Sequence, residues 1–307
     1  MRNPAHNRRR NRLDILGGAA LALALLPLAG WTAVIHEKWS EYHHIMVIDQ
    51  GPTRILSFNG SQETRMSLNN HLLGHFDYTE LFQAPLLINP KLTNVLMIGL
   101  GGGSTQRAYQ YCHPEVRIDT VEIDADVVAI AKRFFNVRES PTHRIHIGDG
   151  RVFVRRSQGK YDAVIMDAYQ MGRYGSQPPH HLVTQEFFAL VSTNLSTNGV
   201  LAYNVIGTAY GWQAPMVGSM YRTLQSVFPR VYWMPAANSL NVVVLATKSK
   251  EPLTQSRLRK NFDELVKAGH EFPPGFHNKI NVFHTNAPPT ARDGVIFQDK
   301  FAPPGAM

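Results

Sequence analysis

Seven short apolar runs follow one another between residues 94 and 247 of this chain. Apolar runs without alternating polar positions are typical of parallel strands whose two faces are both covered by helices. The runs therefore predict a seven-stranded α/β sheet within residues 90–250. In chain order they are NVLMIGL, RIDTVEI, RIHIGD, YDAVIMD, GVLAYNV, RVYWMP and LNVVVLAT.

Helical patterns separate most of these runs, as an α/β domain requires. They predict helices over 105–112, 124–134, 184–195 and 214–228. Thr184 precedes the third helix and is expected to be its N-cap. The last segment, 251–307, predicts one charged helix over 254–268 and a Pro-rich tail that packs as a lid or an edge.

A different pattern covers residues 40–85. Short segments there alternate apolar and polar positions or carry β-branched residues, and the pairs Gly51-Pro52 and Asn59-Gly60 mark turns between them. This pattern predicts a small β domain ahead of the α/β domain.

Residues 1–12 form a basic tail, and residues 13–35 form an almost uninterrupted apolar segment. About 20 apolar residues are enough to cross a bilayer as a helix, and arginines before such a helix hold its start on the cytoplasmic side. We therefore expect an N-terminal hydrophobic helix, which makes this a single-pass membrane protein with the α/β domain on the outer, periplasmic side. A cleaved signal peptide is the alternative, and it would make the protein secreted or periplasmic.

The composition of the 307 residues, 44% of them hydrophobic, is that of a globular protein with one large core. The net charge of +8 includes five arginines among the first twelve residues, which leaves +3 (8 minus 5) for the rest, and we expect no nucleic-acid partner. The single cysteine, Cys112, excludes an intrachain disulfide. The pairs His43-His44 and His180-His181 place neighbours on opposite faces of a strand, so we expect no metal.

A glycine-rich turn follows the first apolar run. It contains Gly99, Gly101, Gly102 and Gly103, at the point where a buried strand gives way to a helix. Glycines there let the backbone approach a ligand closely, and the start of the helix offers free N–H groups. The turn therefore predicts a nucleotide or nucleoside site.

Acidic residues end the next three strands. Glu122 lies at the end of the second run, Asp149 at the end of the third and Asp167 at the end of the fourth. The carboxyl ends of parallel strands meet at one edge of a sheet, where ligands bind. We therefore expect these three carboxylates to converge on one crevice, with Glu122 placed to accept hydrogen bonds from ribose hydroxyls.

Several of these motifs occur together in a known family. GLGGGS, VEID, GDGR and YDAVIMDAY are followed by LVTQEFF and NGVLAYNV, and together they resemble the spermidine synthase family of aminopropyltransferases, in particular its divergent spermidine-synthase-like branch. The resemblance extends from Tyr42 to about Thr247. It implies a Rossmann-like, methyltransferase-type sheet of seven strands with a small N-terminal β domain.

The resemblance also implies an activity and roles for residues. The family moves an aminopropyl group from decarboxylated S-adenosylmethionine to putrescine or a related amine. By resemblance, Glu122 would bind the ribose, Asp149 with Gly150 would hold the adenine, and Asp167 would be the catalytic acid beside the amine. Tyr78 would line the substrate pocket. The family also suggests a homodimer.

The chain departs from the family pattern mainly where the amine binds. Gly102 and Gln170 stand where the family has aspartates, and His43 stands where it has a glutamine. We place His43 and Gln170 with Tyr78 in the substrate pocket, in which a cationic diamine would meet fewer negative partners.

Two other functions fit the same residues. One is a methyltransferase that uses intact S-adenosylmethionine. This cofactor carries a carboxylate, which an aspartate at position 102 would repel and Gly102 does not. The other is a non-catalytic protein that binds a polyamine or a nucleoside.

Overall fold

A small antiparallel sheet comes first in the computed structural model, which describes residues 31–172 and 175–301. Its strands pair in chain order, and both predicted turns are two-residue hairpin turns. Asn59 and Gly60 have φ angles of 51° and 88°, which the turn between the third and fourth strands requires. The strands are β1 (Thr32–Trp39), β2 (His44–Gln50), β3 (Thr53–Phe58) and β4 (Ser61–Ser67).

Nine further strands follow in the described part of the chain. Seven form the large sheet, while β9 and β10 pair with each other as a short hairpin. The strands are β5 (Asn94–Ile98), β6 (Arg117–Glu122), β7 (His143–Ile147), β8 (Tyr161–Met166), β9 (Gln170–Gly172), β10 (Gly175–Gln177), β11 (Leu195–Ile206), β12 (Arg230–Pro235) and β13 (Asn241–Thr247).

The large sheet has the strand order β12-β13-β11-β8-β5-β6-β7. Strand β13 runs antiparallel to both of its neighbours, so the sheet is mixed and not wholly parallel as the apolar runs suggested. The connection from β12 to β13 is too short for a parallel crossover and permits only a hairpin. The architecture confirms the predicted Rossmann-like, methyltransferase-type sheet of seven strands and the small N-terminal sheet.

Helices cover both faces of the large sheet. Four of the nine described helices were not predicted, because each is only four to seven residues long; they cover Tyr78–Leu81, Ala84–Ile88, Gly150–Arg156 and Phe276–Lys279. The helices are α1 (Tyr78–Leu81), α2 (Ala84–Ile88), α3 (Ser104–Cys112), α4 (Ala125–Phe134), α5 (Gly150–Arg156), α6 (Gln185–Asn194), α7 (Ala214–Gln225), α8 (Gln255–Lys267) and α9 (Phe276–Lys279).

The small sheet packs on helix α4. Its buried residues Val47, Leu56 and Met66 share a hydrophobic cluster with Ile130 and with Phe135, which follows α4. Polar contacts reinforce the packing, since the Ser40 hydroxyl donates to Asp124 at 2.5 Å and Lys38 pairs with Asp126 at 2.6 Å. Strand β4 is thereby held over the carboxyl ends of the large sheet.

The predicted membrane segment needs correction. Residues 32–35, its last four, begin strand β1, whose backbone pairs with β2, so a helix through residue 35 is wrong. Of its remaining part, Trp31 is described, while residues 13–30 lie outside the described residues. Within the described ranges no helix is long and apolar enough to cross a bilayer. The predicted single-pass membrane, periplasmic or secreted location is corrected on this finding.

The final described residues pack along α7 and end near α5. Arg222 donates to the Gly294 carbonyl at 3.0 Å, and the Phe297 N–H donates to Thr223 at 3.0 Å. Further along, Asp299 forms an ion pair with Arg151 at 2.5 Å. The segment after α9 thus reaches the edge of the large sheet at which β7 ends.

Candidate active site

A cavity of about 700 Å³ lies between the small sheet and the carboxyl ends of the large sheet. Its volume is in the range of small-molecule sites. The glycine turn after β5 and the acids after β6, β7 and β8 line its floor, and β4 lines the opposite side. All three predicted carboxylates, those of Glu122, Asp149 and Asp167, are therefore brought together.

The glycine turn packs too tightly for side chains. Gly99, Gly101 and Gly103 have positive φ angles of 98°, 50° and 72°. A Cβ at Gly99 would overlap the backbone carbonyl of Asp167. The turn therefore brings β5 against the end of β8 and leaves a cradle of bare backbone at the floor of the cavity.

Gly102 is glycine for a different reason. A Cβ there would lie 2.6 Å from Thr64 Cγ2, and the Gly102 N–H donates to the Thr64 hydroxyl at 2.9 Å. Thr64 is buried on β4. The space in which the family's aspartate would begin is thus occupied by a side chain of the small sheet.

Glu122 ends β6 and is 8% exposed. Its two carboxylate oxygens accept hydrogen bonds from the backbone N–H groups of Leu100 at 2.9 Å and Asp124 at 3.1 Å. Burial raises the pKa of Glu122, although these hydrogen bonds oppose the rise. Each oxygen keeps lone pairs for a further donor from the cavity.

Asp149 lies at the start of α5, where it caps the helix by accepting from the Val152 N–H at 2.8 Å. Its other oxygen is 2.7 Å from His181 Nε2. Burial alone would raise the pKa of Asp149, but the hydrogen bonds from His181 and Val152 outweigh it and the pKa is lowered. Gly150 follows directly, and a Cβ there would lie 2.5 Å from Ile98.

Asp167 follows β8 and is held by two neutral donors. The Tyr78 hydroxyl donates to one carboxylate oxygen at 3.1 Å and the Asn204 amide to the other at 2.9 Å. Burial raises the pKa of Asp167 to about 6, the hydrogen bonds from Asn204 and Tyr78 lower it, and the charge of Glu63 raises it. Asn204 is itself oriented by the Asn241 amide, which donates to it at 2.9 Å.

The remaining predicted residues, His43 and Gln170, line the outer part of the cavity. His43 is buried and stacks on Phe58 with 4.4 Å between ring centroids, and burial lowers its pKa. Gln170 is exposed at the start of β9. Both residues also line a smaller pocket between the small sheet and the β9–β10 hairpin.

Two cavity residues, Glu63 and Thr64, were missed as candidates at the sequence level, and Asn204 and His181 were given no role in catalysis. Asn204 lies inside an apolar strand run, His181 belongs to a histidine pair, and Glu63 belongs to a segment with no motif. Thr64 occupies an ordinary position in an alternating strand. Glu63 and Thr64 reach the cavity only because the small sheet packs over the large one, and no local spacing marks them.

Outside this cavity, His113, Glu115 and His270 form a cluster of side chains that could ligate a metal. One possible ligand atom from each lies within 4.8 Å of the others, with His113 buried and Glu115 exposed. His113 also lies 2.9 Å from the Gln83 side chain. The expectation that the protein needs no metal stays a prediction.

Comparison with known proteins gives a consistent family. Residues 75–256 match the model of the spermine/spermidine synthase domain. A polyamine aminopropyltransferase of Vibrio vulnificus is 34% identical over 264 residues, which are 83% of this chain and 85% of that protein. One from Chromobacterium violaceum is 34% identical over 199 residues, which are 64% of this chain and 73% of that protein.

A solved structure supports the same fold at lower identity. A probable spermidine synthase of Corynebacterium glutamicum has a TM-score of 0.67 at 16% identity and covers 88% of this chain and 98% of its own. These comparisons confirm the predicted family and its class, the transferases. With its domain match and its relative at 34% identity, the chain belongs to the spermine/spermidine synthase family.

Proposed function

We propose that the protein transfers the aminopropyl group of decarboxylated S-adenosylmethionine to a small amine such as putrescine, with Asp167 as the acid/base. The observation that carries this proposal is the position of Asp167: a partly buried carboxylate, held by Tyr78 and Asn204, that faces the cavity beside the glycine turn. When bound, decarboxylated S-adenosylmethionine supplies an electrophilic carbon next to its sulfonium.

The floor of the cavity suits the nucleoside half of that co-substrate. The free lone pairs of Glu122 accept hydrogen bonds from the ribose hydroxyls, and Asp149 with Gly150 binds the edge of the adenine ring. The bare backbone at Gly99 and Gly101 allows close approach of the ligand. These roles fit the fixed orientation of both carboxylates, since backbone donors hold Glu122 and His181 holds Asp149.

Asp167 performs two tasks in this proposal. A protonated amine is not a nucleophile, so the carboxylate first attracts the ammonium and then accepts its proton. With a pKa of about 6, Asp167 is ionised at neutral pH and ready to do both. The freed nitrogen forms a bond to the carbon next to sulfur, the carbon–sulfur bond breaks with its electron pair going to sulfur, and methylthioadenosine leaves.

The charge of the cavity favours a cationic ligand over intact S-adenosylmethionine. Among the described residues that line it are five carboxylates, and none of those residues is a lysine or arginine. The N–H of Gly102 is already bonded to Thr64, and that of Gly103 to the Leu100 carbonyl. The carboxylate of intact S-adenosylmethionine would therefore find no lysine or arginine among the described cavity residues and would be repelled by their carboxylates, which argues against methyl transfer.

Product analysis tests the proposal. We expect methylthioadenosine and an aminopropylated amine from decarboxylated S-adenosylmethionine and putrescine, and no methylated amine from intact S-adenosylmethionine. Asp167→Asn is expected to lower the rate at least about 100-fold, while Asp263→Asn on the exposed face of α8 serves as the matched control. Binding of decarboxylated S-adenosylmethionine by the wild type without turnover would contradict it.

The domain division stays part of the proposal. We assign residues 40–85 to a small β domain, 90–250 to the nucleoside-binding catalytic domain and 251–307 to an appended helix and tail. A homodimer is likewise proposed from the family, and analytical ultracentrifugation would test it.

A further inference from the structure

Glu63 is the acidic residue of β4 in the cavity, and none of the chemistry described so far uses it. It lines both the main cavity and a small lobe that opens from it. The lobe lies between the small sheet and the β9–β10 hairpin, and its other lining residues are His43, Phe58, Tyr169, Gln170, Met171 and Ser176. Glu63 therefore lines the same cavity as Asp167 and, in addition, the lobe beside the β9–β10 hairpin, which Asp167 does not line.

The carboxylate of Glu63 is held by a neutral hydroxyl. Ser176 on β10 donates to it at 3.3 Å. Burial raises the pKa of Glu63, and hydrogen bonds from Ser61 and Ser176 oppose the rise. No lysine or arginine is among the described residues that line the cavity with Glu63.

Glu63 and Asp167 act on each other through the cavity. The charge of Glu63 raises the pKa of Asp167, which means that the two carboxylates repel each other across space that a ligand can enter. A ligand with one positive charge relieves this repulsion only in part. A ligand with two separated positive charges satisfies both carboxylates.

The two positions that would otherwise supply a second acid do not do so. At Gly102 the space for a side chain is filled by Thr64, and Gln170 is neutral. Glu63 approaches the cavity from the opposite wall, on the small sheet. It is therefore the described carboxylate best placed to complement Asp167 at the amine end.

We propose that Glu63 forms a second cation subsite, which binds the distal ammonium of the acceptor while Asp167 binds the reacting nitrogen. The acceptor class is then a diamine or longer polyamine, and a monoamine is a poor substrate. This inference rests on the proposed aminopropyl transfer.

A charge-selective variant tests the subsite. Glu63→Gln keeps an oxygen that accepts from Ser176 and removes only the charge. Loss of one charge-assisted hydrogen bond is expected to raise the KM for putrescine about 10-fold to 100-fold. The KM for n-butylamine, which has no second ammonium, should stay within about twofold, and so should that for decarboxylated S-adenosylmethionine. Glu37→Gln, an exposed position on β1 of the same sheet, is the charge-matched control.

Binding provides a readout that does not need turnover. Calorimetric titration of putrescine and of n-butylamine into the protein saturated with methylthioadenosine should show a preference for putrescine in the wild type that Glu63→Gln abolishes. Equal losses for both amines would give Glu63 a purely structural role and overturn the proposal, as would an unchanged preference. If the wild type binds putrescine selectively but releases no product, the proposed reaction fails while the subsite stands.

Discussion

Replacing Asn204 with alanine removes the amide that donates to Asp167 at 2.9 Å. This hydrogen bond stabilises the ionised carboxylate and lowers the pKa of Asp167, against the larger effect of burial, which raises that pKa to about 6. Without the donor the charged form loses a partner and the neutral form does not. The pKa of Asp167 is therefore expected to rise further.

The size of the rise follows from the strength of one such bond. A hydrogen bond to a charged group contributes about 1.5–3 kcal/mol, and about 1.4 kcal/mol corresponds to one pKa unit. The Tyr78 hydroxyl stays in place at 3.1 Å, and water can reach the partly buried carboxylate, so we expect the lower end of this range. The pKa should then rise from about 6 to about 7.

The assay is the pH profile of kcat/KM for the amine, measured from about pH 5.5 to about pH 9. Only ionised Asp167 can accept the proton, so activity falls as pH drops through its pKa, and the acid limb should move upward by about one pH unit in Asn204→Ala. Asn241→Ala, which removes a donor to Asn204 and not to Asp167, should move it less. An acid limb that stays in place, or moves downward, would refute the role given to Asp167.

Three further predictions concern other parts of the site. Asp167→Asn should be inactive, and its free energy of unfolding at pH 8 should exceed that of the wild type by up to about 3 kcal/mol in denaturant titrations. The reason is that the pKa of Asp167 in the folded state, about 6, is higher than in the unfolded state, so the stability of the wild type falls as pH rises from about 4 to about 6. A variant that shows the same pH dependence of stability would contradict this. Gly102→Asp should lower stability by about 1–3 kcal/mol because it overlaps Thr64, and Thr64→Gly should restore part of the lost Tm in calorimetry. Without that recovery, Thr64 is not the obstacle. His181→Ala should raise the KM for the nucleoside co-substrate about 10-fold and leave that for the amine unchanged, because Asp149 loses the partner at 2.7 Å that orients it.

The elements of the large sheet were predictable because each strand is a continuous apolar run whose burial forces that composition. The antiparallel direction of β13 was not predicted, since the composition of an apolar strand does not depend on its direction. Only the short β12–β13 connection determines it. Helix α5 escaped prediction because seven residues give too few turns for a periodic pattern.

The site residues also divide into those that the sequence predicts and those that it does not. Glu122, Asp149 and Asp167 end consecutive strands, so sheet geometry alone predicts that they meet. Asn204 and Glu63 reach the cavity through sheet pairing and through the docking of one sheet on another, which depend on contacts between residues far apart in the chain. The end of the predicted membrane helix was wrong for a related reason. Residues 32–34 pair with β2, which their own sequence does not reveal.

Because two separate sheets form the cavity walls, the residues proposed to select the acceptor and those proposed to act in the reaction lie in different parts of the sequence and can vary independently. The strand-end acids belong to the large sheet, whereas Glu63 and Thr64 belong to a four-stranded layer that rests on α4. A change in β4 can reshape the amine end of the cavity without disturbing the acids below it. Protein engineering can therefore seek new acceptors through changes in β4 that leave the acids of the large sheet unaltered.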